Sequence, residues 1–435
     1  ITIDGKDSKD FDDAISIEKA KQGYTLYVHI ADVSFYVNVN SALDKEAFRR
    51  GNSWYLANSV IPMLPAVLSE KICSLNPKTK RLAFTCEMQF NKAGEIVSYS
   101  FYKSKIYLKR RYTYEQAEKE LKKKKGKLSL FYELTKILEE KRNKEGRIAL
   151  EIPEMQADWD ETGRLISIRQ KERLESHKLI EECMLSANIC AARYAKKHRL
   201  PFLYRVHEKP PAEEVEKINL FLQLFGISKR IKKISAKSIA SILNSISDED
   251  TKAIFHYLLL RTFTQAVYAP DTIGHWGLGF SDYAHFTSPI RRYADLVIHR
   301  QLAAHLEKKP LPYNEGDLKF IGMETSRCER EAMSAERDIR KLLIGRSFET
   351  RIGENFEAWI TGFHSEGIFI ALSESIAEGF IPVQYVSKKA ELLMLDELRA
   401  VADKLGKTLI MGQKLQVKLL EVDFAKIRMN FEPIL

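Results

Sequence analysis

Four aspartates stand within a ten-residue stretch, Asp4, Asp10, Asp12 and Asp13. Asp10 and Asp12 are two positions apart, so in extended chain they share a face. A turn over Gly5–Lys9 brings Asp4 back toward them. Converging carboxylates repel one another unless a cation intervenes. Hard oxygen donors without His or Cys suit magnesium, or manganese, rather than zinc. Such a site suits phosphodiester hydrolysis, where metal ions neutralise the phosphate and activate water. An acidic surface turn has the same composition and stays open as the alternative. A calcium loop fits less well, because the EF-hand spacing and its closing Glu are missing.

The second chemistry-bearing stretch is Tyr283–Asp295. Thr287 or Ser288 can cap a helix whose first turn holds Pro289. Arg291 and Arg292 then lie by free backbone N–H groups at a helix start, a plausible phosphate clamp. The other reading is structural, with Arg292 or Arg300 paired to Asp295.

These residues need a scaffold. Residues 1 to about 110 read mainly as strands: Tyr24–Ile30, Leu82–Phe90 and Ile96–Tyr102, with a hairpin signal at Asn91–Gly94. Pro62, Pro65 and Pro77 punctuate a loop-like stretch over Asn52–Lys80. Helices are expected over Tyr114–Asn143, Leu174–His198, Pro211–Leu224, Ser235–Ser245, Asp248–Ala266, Ser288–Glu307 and Leu318–Ile344. Strands first and helices later give an α+β domain over 1–345, a mixed sheet flanked by helices. Beyond it the texture changes to short alternating strands with glycines at turns. That pattern predicts a small all-β barrel over 349–435.

The 435 residues allow two to four domains. Hydrophobic residues make up 45%, enough for a sizeable core. The net charge of +10 favours a polyanionic partner. The Lys122–Lys127 run and the Lys229–Lys237 stretch read first as solvated faces and second as supports for a nucleic acid. Five cysteines, an odd number without a Cys-x-x-Cys pair, argue against zinc ribbons and disulfide frameworks and fit a reducing cytoplasm. No run of 18 apolar residues predicts a membrane span, and no signal peptide is evident. The opening Ile1–Asp4 reads as a strand entered midway, so a longer parent protein is expected.

The stretches Thr2–Ala14, Ile61–Pro65, Ala187–Ala192 and His285–Tyr293 together resemble the RNB catalytic domain of RNase II and RNase R, and Phe286–Tyr293 is more similar to RNase R. The resemblance covers about residues 1–345. It implies a processive 3′→5′ exoribonuclease that hydrolyses single-stranded RNA, entered from the 3′ end, to nucleoside 5′-monophosphates in RNA decay. It implies magnesium on Asp4, Asp10, Asp12 and Asp13, with Asp12 the most critical and Arg291 supporting the scissile phosphate. By the same resemblance Tyr55 stacks on the 3′-terminal base, Tyr114 and Glu181 contact the sugar–phosphate chain, and Glu336 lies near the path of the 3′ end. The family's second base-clamping position is a phenylalanine; its match here is Ile152, which packs on a base without aromatic stacking.

The segments Gly353–Phe363, Gly367–Leu372, Gly379–Pro382 and Gly412–Val417 resemble an S1-type RNA-binding domain, an OB-fold barrel. Phe356, Phe363, His364 and Phe369 are its candidate stacking residues, though about half of them must fill the barrel. Lys414, Lys418, Lys426 and Arg428 could follow phosphates. A monomer is expected, and the family implies cold-shock-like barrels upstream. The rival reading is an RNA-binding protein with the same folds and no catalysis; loss of an aspartate would mark it, and all four are present. A DNA-directed nuclease is disfavoured by the S1-like segments.

Overall fold

A computed structural model describes residues 1–57, 59–123, 126, 128–145, 155–159, 165–170, 172–373 and 377–434. Its centre is a four-stranded antiparallel sheet made of Asp13–Ala20, Gly23–Ala31, Lys80–Asn91 and Ile96–Tyr107, in that order. The alternation seen in the sequence sends Leu26, Val28, Ile30, Phe84, Cys86 and Met88 to one core, all at 0% exposure. Each such burial contributes about 1.5–3 kcal/mol. The Asn91–Gly94 hairpin turn forms as expected, with the Asn91 side chain accepting from the N–H groups of Ala93 and Glu95.

The Glu175–His198 helix lies on this core. Ala187, Cys190, Ala191, Ala192 and Ala195 are fully buried along it. These small side chains let the helix approach closely. A parallel pair, Thr2–Asp4 with Arg111–Thr113, sits beside the main sheet and ends at Asp4.

The helices Glu214–Leu224, Ala236–Leu243 and Glu249–Arg261 form a second core that also takes in Trp359 and Leu398 from the C-terminal region. The C-terminal region is a closed five-stranded barrel, ordered Asn355–His364, Gly367–Leu372, Glu378–Pro382, Arg428–Pro433 and Lys414–Asp423. Between its third and fourth strands in sequence lies a three-stranded sheet spanning Leu393–Ile410.

The stretch read as loop over Asn52–Lys80 holds a short hairpin and a helical turn at Val67–Ile72. The helix expected to Ala266 ends at Arg261. Two further elements differ from the sequence reading. The helix expected from Ser288 begins only at Tyr293, because Arg292 is held extended by a bridge to Asn52, with the Tyr293 N–H on the Gly51 carbonyl at 2.9 Å and the Ser53 N–H on the Arg291 carbonyl at 3.0 Å. The helix expected over Leu318–Ile344 runs unbroken from Glu315 to Phe348. Phe348 enters the barrel core and Ile344 packs against it, so the junction near 346–349 is a continuous helix rather than a linker.

Candidate active site

The aspartates sit on a loop fastened from two sides. Asp4 ends its strand, the chain turns through Gly5–Ser8, and Asp13 opens the first strand of the main sheet. On one side the Ser74 hydroxyl accepts from the Phe11 N–H at 3.0 Å and donates to the Lys9 carbonyl at 2.8 Å. The Leu75 N–H adds a bond to the Phe11 carbonyl. On the other side Arg111 donates to the carbonyls of Gly5 and Lys6 at 2.7 and 2.8 Å. Its guanidinium also lies 4.7 Å from the centre of the Phe11 ring. Ser74 and Arg111 are generic residue types far from the aspartates in sequence, and nothing in their spacing singled them out.

Asp12 is 5% exposed. Its Oδ1 accepts from the Ile290 N–H at 2.9 Å, and its Oδ2 lies 3.7 Å from Arg291 Nε. Asp12 Oδ2 and Asp13 Oδ2 are buried without a hydrogen-bond partner. The Asp4 carboxylate is turned to the Thr2 hydroxyl at 2.5 Å. Among the described residues, no group of three or more His, Cys, Asp or Glu side chains is already assembled as a metal-binding set. In this arrangement Asp4 and Asp12 each spend an oxygen on a protein donor.

The electrostatics are under-compensated. Burial pushes the carboxyls of Asp4, Asp10 and Asp12 above the ordinary carboxylate range. Asp13 is pushed up to about 8, first by burial and then by the charge of Asp4. Arg291 pulls all four the other way. Orphaned buried oxygens beside one guanidinium form a hard-donor set that fits a small divalent cation.

The two arginines separate. Arg291 leaves its side chain 42% exposed and faces the carboxylates, with one donor on the Ser288 hydroxyl at 3.0 Å. Arg292 instead makes a two-point pair with Asp295, both bonds 2.9 Å, and Asp295 is fully buried. The pairing alternative weighed from sequence is realised for Arg292, which is therefore occupied structurally rather than free to clamp a phosphate. Arg300 pairs with Asp44 at 2.7 Å.

Tyr55 lies on a short hairpin, Trp54–Leu56 with Ser59–Ile61. Its N–H donates to Glu336 Oε1 at 3.1 Å, joining two candidates that are remote in sequence. Its phenol is pushed up to about 12 by burial; Arg291 opposes that rise, and Asp10 and Asp12 add to it. Tyr114 stacks on His177 at 3.9 Å between ring centres. Burial raises its phenol, and the charges of Asp13 and Asp4 raise it further, so it borders the cluster. Glu181 accepts from Arg173 at 2.6 Å. Ile152 lies outside the described residues.

In the barrel, Phe356 is 4% exposed and packs with Phe348 and Phe431. It fills the core and is not a stacking platform, because its strand position points inward. Phe363 is half-buried against that core. His364 is exposed and Phe369 is 43% exposed, with ring centres 6.4 Å apart. Lys414 is drawn to Glu357 at 2.8 Å and lies over the Trp359 ring.

A sheet-and-helix domain carrying an acidic loop faced by an arginine is joined to a closed five-stranded barrel. The RNB domain profile matches residues 1–308, and the chain belongs to that family, the family of RNase II and RNase R. Its relatives include ribonuclease R of Aquifex aeolicus, 36% identical over 100% of this chain and 63% of that protein. Ribonuclease R of Escherichia coli is 34% identical over 100% of this chain and 56% of that protein. The structure of Mycoplasma genitalium RNase R in complex with ribose-methylated single-stranded RNA superposes with a TM-score of 0.92. That match has 32% identity and covers 100% of this chain and 70% of the other. The chain thus spans about three-fifths of the length of the two bacterial ribonucleases first named.

Proposed function

We propose that the chain is the catalytic part of a 3′→5′ exoribonuclease that hydrolyses single-stranded RNA to nucleoside 5′-monophosphates. The observation that carries this reading is the pair of orphaned buried oxygens, Asp12 Oδ2 and Asp13 Oδ2, the first of them 3.7 Å from Arg291. Support comes from the family and from the RNA-bound relative of the same fold. The intact set of four aspartates favours an enzyme over a silent RNA-binding protein.

Asp4, Asp10, Asp12 and Asp13 would hold magnesium, with manganese as a substitute in the same oxygen set. When bound, such an ion neutralises phosphate charge and lowers the pKa of an attacking water. The Ile290 N–H fixes the rotation of Asp12 so that its free oxygen faces Arg291. The exposed Arg291 guanidinium receives the scissile phosphate and offsets charge that builds there. Tyr55 offers a ring to the 3′-terminal base, held in place by Glu336 at its backbone N–H. Tyr114 and Glu181 would contact the sugar–phosphate chain, Tyr114 from the border of the cluster. Phe369 and His364 give the barrel an exposed stacking surface for the incoming strand. Residues 1–345 would be the catalytic domain and 349–435 the RNA-binding barrel, coupled through the continuous Glu315–Phe348 helix. A monomer in a reducing cytoplasm is proposed as the setting; the five free, buried cysteines accord with it.

The test is incubation of 5′-labelled RNA and matching DNA with magnesium or chelator. A descending ladder from RNA alone, dependent on magnesium, is expected. An undigested RNA, or equal digestion of DNA, would overturn the reading.

A further inference from the structure

A concave feature lies outside the aspartate site, on residues bonded to the loop's Ser74 support. A groove of about 410 Å³ is lined by Tyr36, Lys71, Ile72, Lys80, Arg81, Leu82 and Lys105. Four of its seven lining residues are cationic and none is acidic. Lys71, Lys80 and Lys105 are exposed and have no carboxylate partner among the described residues. Like charges gathered without a counter-charge raise the local concentration of anions. Aromatic and apolar surface adjoins them: Tyr36 meets Phe35 edge-on at 5.1 Å, Phe35 is 62% exposed and Ile72 is 39% exposed. A groove of this size falls in the range of small-molecule sites.

Arg81 makes the groove part of the same machinery. Its donors go to the carbonyls of Ser74 and Lys71 at 2.9 Å each and of Lys80 at 3.1 Å. It therefore shapes the groove floor and leaves the three lysines as the free cations. Ser74 is the residue whose hydroxyl holds Lys9 and Phe11 of the aspartate loop. Cys73, next to it, feels the charge of Asp12. Ser74 thus touches both the groove's Arg81 and the aspartate loop.

We propose that this groove is a binding site for a nucleoside 5′-monophosphate. Lys71, Lys80 and Lys105 take the phosphate monoester, and the Tyr36–Phe35 surface takes the base. A dianionic terminal phosphate matches a groove lined by three lysines without an acidic residue better than the single charge of an internal diester does. This choice of ligand rests on the exonuclease reading, under which such monophosphates are released at the aspartates.

The test is photolabelling of the whole chain with 8-azidoadenosine 5′-monophosphate, followed by peptide mapping. Labelling of the peptides carrying Tyr36 and 71–82 is expected, competed by AMP and not by adenosine. The triple variant Lys71→Gln/Lys80→Gln/Lys105→Gln should lose that labelling at least tenfold while keeping its melting temperature and its hydrolysis of a short oligoribonucleotide. Three results would overturn the proposal: labelling confined to the aspartate site, equal competition by adenosine, or competition only by an oligonucleotide lacking terminal phosphates. The labelling needs no turnover, so an inactive wild-type protein would sink the exonuclease reading and leave the groove's result legible by itself.

Discussion

The Ile290 backbone N–H donates to Asp12 Oδ1 across 278 positions of sequence, at 2.9 Å. This bond ties the turn that carries Arg291 to the loop that carries the aspartates. One contact therefore fixes both the carboxylate's rotation and the arginine's reach. Neutralising a residue on either side should disturb chemistry more than folding, unless the residue belongs to the buried support.

Adjacent arginines give the sharpest contrast. Arg291→Ala removes an exposed guanidinium and should lower kcat by about 10²–10³-fold, the usual cost of one electrostatic stabiliser. With magnesium bound to offset the carboxylates, its melting temperature should move less than that of Arg292→Ala. Arg292→Ala strands the fully buried Asp295 and should cost about 3–5 kcal/mol of stability. Thermal denaturation beside single-turnover kinetics reads both. The reverse pattern would exchange their roles.

Ser74→Ala leaves the Phe11 N–H and the Lys9 carbonyl without their shared partner. The expected cost is about 1–3 kcal/mol. The loosened loop should need more magnesium for half-maximal activity, with kcat largely recovered at saturating metal. A magnesium titration checks this; an unchanged requirement would mean the loop is held without Ser74.

The raised carboxyls predict a pH dependence for the metal-free protein. Asp4, Asp10, Asp12 and Asp13 bind protons more tightly folded than unfolded. Their contribution to stability is fully present below about pH 4 and is lost as pH rises through the folded values, about 8 for Asp13. With each tenfold in proton affinity worth about 1.4 kcal/mol, chelator-treated protein should lose a few kcal/mol between mildly acidic and mildly basic pH. Magnesium binds the ionised forms, so its rescue should grow with pH. Calorimetry at several pH values, with chelator or magnesium, would expose a rescue that is flat or inverted.

Two phenylalanines of the barrel should behave oppositely. Phe369→Ala removes an exposed ring and should weaken single-stranded RNA binding by about 1–3 kcal/mol, with little change in melting. Phe356→Ala hollows the core and should cost about 3–5 kcal/mol of stability. Fluorescence anisotropy and thermal melts distinguish them.

How much of this was legible depended on range. The aspartates were visible because they are neighbours in sequence, and the strands Gly23–Ala31 and Lys80–Asn91 because their alternation is local. The pairing of Tyr55 with Glu336 joins a hairpin to a helix, and only a resemblance brought the two together beforehand. Phe356 was misplaced because an aromatic at the start of an alternating strand does not declare which face is the barrel interior. The helix start moved from Ser288 to Tyr293 because backbone bonds to Gly51 and Ser53, remote in sequence, hold Arg292 extended. Arg111 and Ser74 carried no sequence signal, since what matters is which carbonyls and amides they meet.

The most direct trial of the account is Asp12→Asn, assayed for cleavage and for binding on one RNA. Asparagine keeps an oxygen for the Ile290 N–H and puts an uncharged NH2 donor in place of the oxygen that faces Arg291. Hydrolysis should fall by at least about 10³-fold, some 4 kcal/mol of lost barrier reduction, while RNA affinity stays within a few fold. Cleavage near the wild-type rate would contradict the claim that this carboxylate is the centre of the site.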